Sequence, residues 1–200
     1  MKKIYILLIL FSVGIIDRAD AQILNINYRL STPLGDSHDF ISQMSFRGGD
    51  LEYHHFISAH WTVGLSIGWN TYYKHLDYKT NDFILNSEKV SITGDQFRYL
   101  NVIPVLADIR YHLTKGDAAV LPYVGMGIGC NWAETRLEIG DLLAKEKGWQ
   151  LALAPEAGLI IPFCEQVGLN LAVQYQYSVK TGNLPALQDL GVKVGIAFNL

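Results

Sequence analysis

From Trp61 to Asn70 the chain reads Trp-Thr-Val-Gly-Leu-Ser-Ile-Gly-Trp-Asn, and this decade decides the fold. In an extended strand Trp61, Val63, Leu65, Ile67 and Trp69 share one face, and Thr62, Gly64, Ser66, Gly68 and Asn70 share the other. The same split returns from Val167, where Val167, Leu169, Leu171, Val173, Tyr175 and Tyr177 oppose Gly168, Asn170, Ala172, Gln174, Gln176 and Ser178. It returns again at the C-terminal end, where Leu190, Val192, Val194, Ile196, Phe198 and Leu200 oppose Gly191, Lys193, Gly195, Ala197 and Asn199.

Further strands are expected around Leu24–Leu30, Phe97–Tyr111, Val120–Trp132 and Trp149–Phe163, and a weaker one around Leu51–Ile57, for a total of eight. Pro104, Pro122, Pro155 and Pro162 lie in or beside these segments and are expected to mark bulges or strand ends, because proline cannot donate to a ladder. Eight alternating strands also describe a lipocalin, whose outside is polar and inside apolar. The polar faces here decide against it, since they hold mostly Gly, Ala, Ser, Asn and Gln, which suit a narrow interior better than a solvated surface.

Only 18% of the residues are charged and the formal net charge is −3, which excludes a disordered chain and a protein that binds nucleic acid by neutralising phosphates. Met1-Lys2-Lys3, the apolar run Ile4–Ile16 and Ala19-Asp20-Ala21 form the pattern of a secretory signal peptide over residues 1–21. A nearly unbroken run of 13 residues is too short for a membrane helix, which needs about 20. The mature domain then spans 22–200.

The connections alternate in length. Those around Ser31–Gly48, Lys74–Asp95 and Ala133–Gly148 read as long loops, and those around Ser58–His60, Thr114–Ala119 and Cys164–Gln166 as short turns. Long loops outside and short turns in the periplasm are the asymmetry of outer-membrane barrels, so the expectation is an all-β, eight-stranded antiparallel up-and-down transmembrane barrel with both mature termini periplasmic. Trp61 and Trp69 would stand about 20 Å apart along the membrane normal. Tyr72, Tyr73, Trp132, Trp149, Tyr175 and Tyr177 are expected in the outer aromatic girdle, with Tyr111, Phe163 and Phe198 in the inner one. Cys130 and Cys164 would lie too far apart for a disulfide.

The whole mature chain resembles the OmpA/OmpX-like small outer-membrane barrels of Gram-negative bacteria. The resemblance is carried by Arg98-Tyr99-Leu100-Asn101-Val102-Ile103-Pro104, by Pro122-Tyr123-Val124-Gly125-Met126-Gly127-Ile128-Gly129, and by the ending Val194-Gly195-Ile196-Ala197-Phe198-Asn199-Leu200. It implies outer-membrane lipid as surroundings and the barrel assembly machinery as partner during insertion. The aromatic signal that family members carry at their end would here be Phe198, two residues before Leu200.

No catalytic, cofactor or metal residues are assigned. Ser37-His38-Asp39 is the only compact match to an acyl-transfer set, and neighbours in a loop cannot hold the required directions. His54 and His55 point to opposite faces. Arg29, Arg98, Asp108, Arg110, Glu156 and Lys193 are expected to project inward as a charge cluster that fills the lumen, with room left by Gly125, Gly127 and Gly129. The expected role is structural, or binding of an extracellular ligand through the long loops. A narrow porin-like channel and a lipid-modifying enzyme are the alternatives. Cleavage after Ala21 predicts that mass analysis of the exported protein finds Gln22 at its start; a mass that retains residues 1–21 contradicts the signal reading.

Overall fold

The structure is a computed structural model that describes residues 22–85, 88–114, 118–139, 142–182 and 184–200. The expected signal peptide lies outside the described residues. Eight antiparallel strands follow one another around a closed barrel: β1 (Gln22–Leu34), β2 (Ser45–Phe56), β3 (Trp61–Leu85), β4 (Glu88–His112), β5 (Leu121–Ile139), β6 (Leu142–Pro162), β7 (Val167–Ser178) and β8 (Leu187–Asn199). A one-and-a-half-turn helix, α1 (Gly35–Phe40), follows β1.

The register fixes the geometry. A path across the ladders from Gly158 runs through Ala172, Lys193, Arg29, Gly48, Asn70, Val102 and Ala133 and returns to β6 at Gly148, ten residues away. Ten residues of stagger over eight strands require a tilt of about 40° and an axial rise of about 2.5 Å per residue. At that rise about ten residues cross a ~25 Å apolar band. The strands β1, β2, β7 and β8, with 12 or 13 residues each, are just long enough.

The faces are inverted relative to a soluble protein. Leu65, Ile67, Ile128, Leu151, Val173 and Ile196 lie outside, with Leu151 67% exposed, whereas Asn25, Glu52, Asn131, Asn170 and Lys193 are buried. Trp61 and Trp69 both point outward, as do Tyr111, Trp149 and Phe163 near the two rims. Tyr72 departs from the expected girdle. It shares the parity of Asn70, lies 1% exposed in the lumen, and bonds there to Ser31 and Asn70.

Two of the three expected long loops are strand. β3 and β4 have 25 residues each, and from Gly94 to Lys79 and beyond they continue as a two-stranded ribbon past the ends of the other strands. β5 and β6 likewise pair up to Ile139 and Leu142. Alternation weakens there because neither face of a ribbon beyond the membrane must be apolar. The third gap holds α1, and β2 begins at Ser45 rather than near Leu51. Pro104 and Pro155 sit in mid-strand and cause no slip: Ile67↔Val105 and Asn70↔Val102 keep one register, as do Leu153↔Tyr177 and Glu156↔Gln174. Cys130 and Cys164 are both free, the first in mid-strand and the second in the 163–166 turn.

Facing and depth predict an asymmetry. Val173→Arg, near mid-depth on the outer face, should lower the folding free energy in phospholipid vesicles by about 2–4 kcal/mol, and Phe163→Arg at the rim by about 0–1. Equal costs in urea titrations contradict the assigned depth.

Candidate functional site

The lumen is built in layers. Next to the termini, Ile23, Leu121, Tyr123, Ile160, Ala172 and Ala197 form an apolar floor. At the opposite mouth Ile41, Tyr72, Leu100, Val102, Ala133, Leu184 and Leu187 form a second apolar layer, with Phe40 packed on it. Ionised and amide side chains occupy the space between.

Their centre is a four-membered ring of alternating charge. Arg110 Nη2 donates to Glu52 Oε2 at 2.5 Å and to Glu156 Oε1 at 2.6 Å, while Lys193 Nζ donates to Glu52 Oε1 at 2.7 Å and to Glu156 Oε2 at 2.8 Å. Each carboxylate thus meets both cations, and all four side chains are within a few per cent of complete burial. The Arg110 guanidinium lies over the Tyr123 ring at 4.5 Å, and the Tyr123 hydroxyl donates to Glu156 Oε1 at 3.0 Å. A second group stands above. Arg29 is ion-paired with Asp189, donates to Gln174 Oε1 at 2.8 Å and to Gln176 Oε1 at 3.2 Å, and lies 3.9 Å from Asp50. Gln174 Nε2 donates in turn to Glu156 Oε2 at 3.0 Å, which joins the two groups. Three cations therefore face four carboxylates, each cation with at least one partner.

Glycine makes this possible at two places. A Cβ on Gly125 would stand 2.8 Å from Arg110 Cγ, and one on Gly191 would stand 2.6 Å from Arg29 Nε. The space beside Gly125, Gly127 and Gly129 is taken by Arg110, Asp108 and Leu106 of the neighbouring β4, rather than by side chains reaching across the lumen.

Of the six residues expected inward, Arg29, Arg110, Glu156 and Lys193 come together. Asp108 lies on the same wall beside Gly127 but makes none of these ion pairs. Arg98 does not join them. It sits higher on β4, where Nη1 donates to the Phe40 carbonyl at 3.0 Å and the guanidinium lies over the Phe40 ring at 5.4 Å, so it fastens the C-terminal end of α1. The separation follows from spacing, because twelve residues between Arg98 and Arg110 correspond to about 30 Å along the axis. Glu52, Asp50 and Asp189 complete the cluster beyond the six expected residues, because β2 and β8 begin earlier than their apolar runs suggest. The parity of Leu51 and Tyr53 against Asp50, Glu52 and His54 holds the signal for the first two.

Except for His54, the side chains weighed for chemistry stand apart from the ring. Ser37 Oγ is buried and accepts from Gln188 N at 2.8 Å, while His38 and Asp39 are exposed. His54 points into the lumen, 3.8 Å from Glu52, and His55 lies on the other face. On the ribbon, His75, Asp77 and Asp95 bring ligand atoms within 4.8 Å of one another, but all three are exposed and His75 already contacts Asp77 at 3.4 Å.

No family model matches the chain, and no curated protein matches its sequence. Solved structures do. Ail, the attachment invasion locus protein of Yersinia pestis, in complex with the heparin analogue sucrose octasulfate, is 14% identical with a TM-score of 0.53 over 90% of this chain and 99% of that one. Neisserial surface protein A is 12% identical with a TM-score of 0.56 over 92% and 98%. The outer membrane protein OprG from Pseudomonas aeruginosa is 15% identical with a TM-score of 0.51 over 92% and 97%. At such identities the likeness concerns the fold.

Removing one member of the ring should be costly because its partners stay buried. Glu52→Ala is predicted to destabilise the barrel by about 3–5 kcal/mol, and Lys193→Met added to it should cost much less than its effect alone. Additive costs in a double-mutant cycle, read by urea unfolding in vesicles, contradict the ring.

Proposed function

We propose that this chain, which has the fold of the small outer-membrane β-barrels, is an integral outer-membrane protein whose lumen is a side-chain plug and whose role is structural or interactive. Residues 1–21 serve as its export signal, both mature termini are periplasmic, and the β3–β4 and β5–β6 hairpins project outside. Outer-membrane lipid surrounds the barrel, and the barrel assembly machinery inserts it. The observation that carries the closed lumen is the ring of Glu52, Arg110, Glu156 and Lys193 held between two apolar layers. An ion entering would have to displace bonded partners from a space that eight strands leave just filled.

The hairpins are the surface offered to an extracellular partner. Their charges are mixed and partly paired, with Lys145 Nζ at 2.9 Å from Glu134 and Arg136 bonded to Glu138. Such a surface suits a partner of mixed charge better than a polysulfate of the kind bound to Ail. Among the described residues Ser37 is buried and bonded while His38 and Asp39 are exposed, which supports a non-enzymatic role.

Planar-bilayer recording tests the plug. The purified barrel should show no steady conductance. A steady current in the wild type that disappears in Glu156→Ala establishes a water-filled path and overturns the reading. Density fractionation of cell envelopes should place the protein with the outer membrane.

A further inference from the structure

The outer face of β1–β2–β3 is unevenly filled near the end of the apolar band that faces the projecting hairpins. Tyr28 on β1 and Trp69 on β3 both pair with Gly49 on β2. Two large rings therefore flank a residue without a side chain, two strand spacings or about 10 Å apart. The result is a groove of about 440 Å³, bounded by Tyr28, Arg47, Gly48, Gly49, Trp69 and Thr71. Its walls are fixed in different ways: the Tyr28 hydroxyl donates to the Phe46 carbonyl, and Trp69 stands 64% exposed from the sheet.

Arg47 closes the upper end of this groove. It lies two residues beyond Gly49 on the same outward face, and its guanidinium has no ion-pair or hydrogen-bond partner among the described residues. The acidic residues of its own strand, Asp50 and Glu52, are committed inside the lumen. Around it Met44 and Phe46 are exposed and apolar. A cation without a partner among the described residues thus stands at the border of the hydrocarbon band, directly above an aromatic-walled notch. That combination has the polarity of a lipid molecule, with phosphate above and acyl chain below.

We propose that this groove is a binding site for an anionic phospholipid-type molecule, its phosphate on Arg47 and one acyl chain lying over Gly49 between Tyr28 and Trp69. Arginine suits the phosphate because its planar fork donates two parallel hydrogen bonds. The site rests on the membrane reading above. Gly49 is the position whose side chain would fill the notch, and a Cβ there meets only the Asn27 carbonyl at 3.4 Å, so the strand tolerates substitution.

The test uses a protein whose only tryptophan is Trp69, made by W61F, W132F and W149F, folded into phosphatidylcholine vesicles. Brominated phosphatidylglycerol and brominated phosphatidylcholine are added at equal mole fraction, and quenching of Trp69 is compared. Relative association should favour the anionic lipid about fivefold. Arg47→Ala should remove the preference and Gly49→Leu should weaken it, with the heat-dependent gel mobility of the folded barrel retained in both. Inorganic phosphate, exchanged for chloride at constant ionic strength, should leave the quenching unchanged. Equal quenching by both lipids, a preference that survives Arg47→Ala, or competition by free phosphate overturns the site. Trp69 unquenched by either lipid, with protein left in the supernatant, instead overturns the membrane reading.

Discussion

Backbone polar groups in hydrocarbon have no water to bond to, so every one that crosses the membrane must find its partner within the chain. In this protein the requirement is met by the pairing of β1 with β8, continuous from Ile23↔Asn199 to Leu34↔Gln188. That ladder removes the last free edge inside the band. Closure at a stagger of ten residues then sets the tilt, and the tilt sets how many residues span the apolar layer. It also divides each strand into a face for lipid and a face for a narrow lumen.

The lumen inherits a second constraint from the first. Because the outer face takes the apolar side chains, the inside must be filled by what remains, and charges buried there are tolerable only in partnership. The ring of Glu52, Arg110, Glu156 and Lys193 draws on β2, β4, β6 and β8, every second strand, so it links the wall across its diameter. Such a ring favours one register, since sliding any of these strands by one residue would turn its charge toward lipid. Above it Arg29 and Asp189 repeat the principle, and Arg98 ties down the segment that carries Phe40 and Ile41 into the mouth.

Much of this was legible in the sequence wherever one face had to be apolar. Alternation placed the strands around Trp61–Asn70, Val167–Ser178 and Leu190–Leu200, along with the short turns and the inward direction of Arg29, Arg110, Glu156 and Lys193. It failed where the lipid constraint ends. Beyond the membrane β3 and β4 have no obligatory apolar face, so the ribbon through Lys79 and Gly94 reads as loop. β2 reads weakly because Arg47 and Gly49 interrupt its outward apolar side, and the inward Asp50 and Glu52 are hidden with it. Residue type alone suggests an outward Tyr72, whereas its parity with Asn70 turns it inside. Spatial neighbours in the lumen come from alternate strands at heights set by the stagger, which no single segment of sequence displays.

The outward groove between Tyr28 and Trp69 belongs to the same logic. A barrel wall carries lipid as its solvent, and the proposed selectivity follows from an uneven place in that wall beside a cation that has no partner among the described residues. The central claim is that hydrocarbon covers the odd-numbered face of β3. Nitroxide scanning from Thr62 to Trp69 in vesicles, after replacement of Cys130 and Cys164 by serine, measures it most directly. Labels at residues 63, 65 and 67 should be accessible to oxygen and shielded from a water-soluble nickel complex, and labels at 62, 64 and 66 should be shielded from oxygen. Nickel access at 63, 65 and 67 would show water against that face and contradict the account.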